Sequence, residues 1–78
     1  MITRVQMRMA RAALHWGVRD LADRAGVSPN TVTRFENGHD ARVDTIVHLQ
    51  GVLERAGVVF IPADERGGPG VRLKQSGR

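Results

Sequence analysis

Leu21-Ala22-Asp23-Arg24-Ala25-Gly26-Val27-Ser28-Pro29-Asn30-Thr31-Val32-Thr33-Arg34-Phe35-Glu36-Asn37-Gly38 reads as two short helices joined by one tight turn. Leu21, Ala22 and Ala25 recur at helical spacing, and Gly26 supplies the left-handed residue that ends the first helix. Ser28 is a good N-cap, and Pro29 sits at the first helical position, where its missing N–H would be unpaired anyway. The second helix runs through Asn37 and stops at Gly38, with Val32 and Phe35 on its inner face. Its outer face, Pro29, Asn30, Thr33 and Arg34, is small and polar. This is helix-turn-helix geometry. The major groove of B-DNA admits one α-helix, whose base-reading residues lie near its N-terminus, where the positive dipole end also faces phosphate. There, Asn pairs with adenine, Arg with guanine, and Thr with phosphate or a thymine methyl.

Upstream, Thr3 to Trp16 lacks Pro and Gly and is rich in good helix formers, with Met7, Ala10 and Leu14 on one face. Arg4 and Arg8 on the neighbouring stripe read as a solvated cationic surface. Gly17 caps the helix Val18–Ala25. Downstream, His39 to Val43 reads as a loop. Asp44 caps a fourth helix from Thr45 to Ala56, with Ile46, Leu49 and Leu53 as its core stripe and Gly57 as its stop. Gly51 inside that helix costs about 1 kcal/mol relative to alanine; a close approach by another backbone and neutral drift would each account for it. Val58-Val59-Phe60-Ile61, the Gly- and Pro-rich segment Pro62 to Gly70, and Val71-Arg72-Leu73-Lys74 read as a hairpin with a long loop. Gln75 to Arg78 is a basic end without further signal. The expected fold is mostly α: a four-helix domain over residues 1–57 and a C-terminal β-hairpin tail over 58–78.

Seventy-eight residues allow one small core and exclude a multi-domain enzyme. No cysteine is present, so there is no disulfide framework, thiolate metal site or cysteine nucleophile. His15, His39 and His48 lack metal-ligand spacing, and neither a phosphate loop nor a dinucleotide fingerprint occurs. No apolar run can span a bilayer and no leader is visible, so a soluble cytoplasmic domain is expected. Twelve Lys and Arg against eight Asp and Glu give a net charge of +4, and eleven of the twelve cations are arginine. That balance favours a polyanionic partner, although a GC-rich genome also yields arginine.

The Leu21–Gly38 stretch resembles the XRE-type helix-turn-helix regulators, which include the Cro and phage-repressor proteins, and matches their pattern LAxxAGVSxxTVxxxExG at almost every anchor. The resemblance covers about residues 5 to 57 and implies a repressor-like fold. It implies base contacts from Ser28, Pro29, Asn30 and Arg34, with Asn30 and Arg34 as the main readers because Pro29 offers no side-chain hydrogen bond. It implies phosphate contacts from Thr31, Thr33, Asn37 and Arg42, and an ion pair between Arg11 and Glu36. The chain departs from the pattern in three places. Val18 replaces a phosphate-touching glutamine, the loop after the recognition helix lacks the usual proline, and a hairpin replaces the fifth helix.

The function these readings imply is a sequence-specific transcription regulator, a repressor without enzymatic activity or cofactor, that binds a double-stranded DNA operator as a homodimer. An antitoxin that represses its own operon while its tail occupies a toxin partner stays open. So does a helix-turn-helix interaction module that binds no DNA. Because Val58, Val59, Phe60 and Ile61 give a strand with two apolar faces, the tail, with Val71 and Leu73, is expected to join two subunits in one sheet. Closure of one protomer's own core by the same residues is the competing expectation.

Overall fold

The computed structural model describes residues 1–75. The basic end read over Gln75–Arg78 lies, from Ser76 on, outside the described residues. Four helices, α1 (Arg4–Leu14), α2 (Val18–Ala25), α3 (Pro29–Glu36) and α4 (Val43–Arg55), precede an antiparallel hairpin of β1 (Val58–Ile61) and β2 (Gly70–Leu73).

α1 begins where Thr3 and Gln6 cap each other: the Thr3 hydroxyl accepts from the Gln6 N–H at 3.1 Å, and Gln6 Oε1 accepts from the Thr3 N–H at 2.9 Å. The helix ends at Leu14, two residues before the expected Trp16. His15 adopts a left-handed conformation (φ 59°), and the Trp16 N–H turns back to the Arg11 carbonyl at 2.8 Å. α2 has the expected bounds, and the Asp20 carboxylate accepts from the Gly17 N–H at 2.7 Å. α3 stops one residue early, with Asn37 as its C-cap.

α4 starts at Val43 rather than Thr45, and Arg42, not Asp44, is its N-cap. Asp44 lies inside the first turn and engages Arg42 in a forked contact at 3.2 and 3.0 Å. There its charge still favours the positive end of the helix. β2 begins at Gly70, one residue earlier than read, and Lys74 extends the ladder through its N–H to the Gly57 carbonyl at 2.8 Å.

The core gathers Met7 and Ala10 from α1, Leu21, Ala22 and Ala25 from α2, Val32 from α3, and Ile46, Leu49, Val52 and Leu53 from α4, with Ile2 and Val58 closing it. Phe35, expected on the inner face, is only half-buried at the core's edge. α2 and α3 pack on each other and on the α1 and α4 layer, while the hairpin packs mainly across α1 and α4. The hairpin therefore sits on the side of the helical layer away from α3. Its register pairs Val58 with Leu73 and Phe60 with Val71, all on the face turned to the core. Val59 and Ile61 point the other way, with Arg72 directly opposite Val59 on β2.

Gln6 fixes the hairpin to the helices. It is almost fully buried, and its amide donates to the Ile61 and Gly70 carbonyls, each at 3.0 Å. Those two residues face each other at the end of the ladder. One side chain thus joins the start of α1 to both strands. No helix among the described residues is long and apolar enough to cross a membrane.

Candidate nucleic-acid interface

The α2–α3 pair is set by its turn. Gly26 takes a left-handed conformation (φ 71°), which a residue without a Cβ adopts freely, and its N–H and that of Val27 close on the last carbonyls of α2. Ser28 then caps α3, its hydroxyl accepting from the Thr31 N–H at 3.3 Å, with Pro29 at the first position. Asn30, Thr33, Arg34 and Asn37 follow at i, i+3, i+4 and i+7 and are all exposed. They form one polar stripe along the outer face of α3, with no carboxylate on it.

The expected contact residues divide into three groups. Asn30, Thr33, Arg34 and Asn37 are brought together on the stripe. Ser28 and Thr31 are tied to each other at the cap, their hydroxyls 3.2 Å apart, and Thr31 and Pro29 are half-buried. Arg42 stands apart at the start of α4, exposed and paired with Asp44.

The acid of α3 is turned the other way. Glu36 is buried at 4% exposure and held from α1 by Arg11, whose Nε and Nη2 donate to the two carboxylate oxygens at 2.8 and 2.6 Å. The hydrogen bond to Glu36 raises the Arg11 pKa above the ordinary arginine value; burial opposes this, and the Glu36 charge adds to the rise. Arg11 also donates to the Trp16 carbonyl at 3.2 Å, which ties the α1–α2 corner to α3.

Arg8 is a second clamp. Read from the sequence as a solvated cation, it donates to the Glu36 carbonyl and reaches Asn37 Oδ1 at 3.5 Å, with its Nε 3.7 Å from the Glu36 carboxylate. Accepting from Arg8 leaves the Asn37 amide group free to donate outward. The sequence signal available was spacing: Arg8 lies three residues before Arg11, on the same side of α1. On α2, the Arg24 guanidinium stacks over Trp16 at 4.2 Å from the ring centroid. His48 Nε2 lies 2.7 Å from the Ala25 carbonyl and so binds α4 to the end of α2.

The expected dimer residues also separate. Val58, Phe60, Val71 and Leu73 pack against their own protomer's core, and Val59 and Ile61 remain on the outward face of the sheet. A family model described as a helix-turn-helix domain matches residues 4–57 of the chain. No curated protein matches it.

Proposed function

The chain belongs to the helix-turn-helix domain family, and from that premise we propose that it is a sequence-specific regulator of the XRE type that represses transcription by occupying a double-stranded DNA operator in the cytoplasm. The observation that carries this reading is the α3 surface. Four hydrogen-bonding side chains, Asn30, Thr33, Arg34 and Asn37, line its exposed face, while its one acid, Glu36, is buried against Arg11 and Arg8. A carboxylate on that face would repel phosphate; a buried one fixes the helix instead.

Arg34 and Asn30 carry base recognition. Arg34 presents a fork suited to a guanine edge, and Asn30 an amide suited to adenine. Thr33, Asn37 and Arg42 contact phosphate. Ser28 and Thr31 act through the cap that aims the helix, and Pro29 by shape. Val18 leaves the start of α2 without the glutamine that many XRE regulators carry there, so α3 and its flanking loop carry most of the affinity. The chain acts as a homodimer whose recognition helices enter successive major grooves, about 34–36 Å apart. It performs no catalysis.

Selection of bound duplexes from a random pool tests this reading. A reproducible palindromic site, with affinity that falls as salt rises, is the expected result. Absence of binding to any duplex at low salt would overturn it and leave an interaction module.

A further inference from the structure

The outer face of α4 carries a stripe that its own chain leaves uncovered. Val43 and Val47, one turn apart, are 60% and 53% exposed, more than any other large apolar side chain of the described residues except Met1. Gly51 follows one turn further along the same line. A Cβ added there would meet only the Arg55 guanidinium, at 3.3 Å, and the end of a flexible side chain can move aside. Nothing within the protomer therefore calls for glycine at a mid-helix position, where alanine is favoured. A stretch of backbone covered only by a movable guanidinium, beside apolar side chains, is what a second helix needs for a close approach.

We infer that α4 pairs with α4 of a second copy, antiparallel about a two-fold axis, with Val47 of each helix seated over Gly51 of the other. This rests on the homodimer reading above and moves the contact from the hairpin to the helix. Charge supports both the occupant and the register. Asp44 and Arg55 are eleven residues apart, about three turns, and so lie on the same flank of the stripe. In an antiparallel pair related by a two-fold axis, like flanks meet, the start of one helix against the end of the other. Seating Val47 over the partner's Gly51 therefore brings Asp44 beside the partner's Arg55, and the symmetry repeats the contact.

Arg55 has no acidic partner in its own chain among the described residues, and its neighbour Glu54 accepts a hydrogen bond from Gln50 at 3.2 Å. Asp44 is held only by Arg42, in an exposed pair that exchanges at little cost. The stripe also begins next to the loop that leaves α3. The hairpin lies across α1 and α4, away from α3, and its inner face is already spent on the protomer's core.

Sedimentation of the full chain without DNA tests the contact. The wild type should be dimeric at about 100 micromolar, and Val47→Arg should weaken the dimer on the order of 100-fold by forcing two like charges together at the axis. Asp44→Arg and Arg55→Asp should each weaken it, and the two together should restore it. Val59→Arg, on the outward face of the hairpin, should leave it unchanged. Because Val47 is exposed, its variant should keep the wild-type circular dichroism. A monomeric wild type, a Val47→Arg chain that associates like the wild type, or a Val59→Arg chain that dissociates in its place would overturn the inference. The DNA reading is judged apart from this: monomeric Val47→Arg should still bind a single half-site in a salt-sensitive way. A wild-type dimer that binds no duplex would sink the regulator and leave the α4 contact standing.

Discussion

Removing the Arg11 side chain should destabilise the domain far more than removing Arg8, although both arginines reach the same carboxylate. Arg11 and Glu36 form a forked pair at 2.8 and 2.6 Å, with side chains 18% and 5% exposed. Taking one partner from a buried pair leaves an uncompensated charge and costs about 3–5 kcal/mol. Two features reduce that figure. Arg11 keeps some contact with water, and Arg8 remains 3.7 Å from the carboxylate as a substitute cation. Arg11→Ala should therefore cost about 2–4 kcal/mol, a large share of the roughly 4–12 kcal/mol that stabilises a chain of this size. Arg8, half exposed and farther away, should cost about 1–2 kcal/mol, mostly for its hydrogen bond to the Glu36 carbonyl. Urea unfolding followed by circular dichroism, with Arg11→Ala, Glu36→Ala and the double variant, gives the coupling directly. A coupling below about 0.5 kcal/mol, or an Arg8→Ala loss equal to that of Arg11→Ala, would refute the reasoning.

Four further outcomes are expected. The raised Arg11 pKa means that the pair's contribution is complete below the ordinary arginine range and is lost only as pH climbs past the higher folded value. The stability difference between wild type and Arg11→Ala should accordingly stay constant from about pH 7 to 11, as paired urea titrations would show. Arg34→Ala should cost about 1–3 kcal/mol on the cognate duplex and relax preference at one base pair, whereas Arg42→Ala should weaken all sequences and lower the salt slope by about one; equal losses on cognate and random duplexes would remove Arg34 from base reading. Gln6→Leu deletes three hydrogen bonds and should cost about 2–3 kcal/mol, with faster amide exchange in both strands as its signature. Gly51→Ala should stabilise the monomer by about 1 kcal/mol, raising Tm by roughly 4–8 °C at concentrations where the chain does not associate.

The helices and the turn were legible because local chemistry sets them. Ser28-Pro29 and Gly26 mark their ends wherever the chain packs, and the periodic apolar residues of α2 and α4 went where their spacing directed them. The Arg11–Glu36 pair was reachable only through the family resemblance, since no local rule links residues 25 apart. Boundaries were lost where side chains chose partners by three-dimensional neighbourhood. His15 ended α1 with a left-handed residue that a sequence rule reserves for glycine, and Asp44 engaged Arg42 instead of capping a helix. Gln6 and Arg8 were missed for one reason: a polar residue on a helix is read as solvated unless the elements packed over it are known. The apolar strand Val58–Ile61 was ambiguous in principle. Alternation separates Val58 and Phe60 from Val59 and Ile61, but only the docked position of the hairpin decides which pair is covered.

The amide of Gln6 bridges residues separated by 55 and 64 positions along the chain, and this has a consequence during synthesis. Translation proceeds from the N-terminus, so α1 through α4 are synthesised before the carbonyls that Gln6 must satisfy exist. In that interval Gln6 can cap the first turn but has no acceptor in the hairpin, and the apolar face that Val58, Phe60, Val71 and Leu73 will cover is open to water. The helices can associate early through near-sequence contacts, whereas completion waits for the contact of longest sequence separation to close. Residue 70 therefore controls when residue 6 becomes dry. A nascent chain arrested before Gly70 should expose the start of α1 to protease, and release of the arrest should protect it without any change in α1 itself.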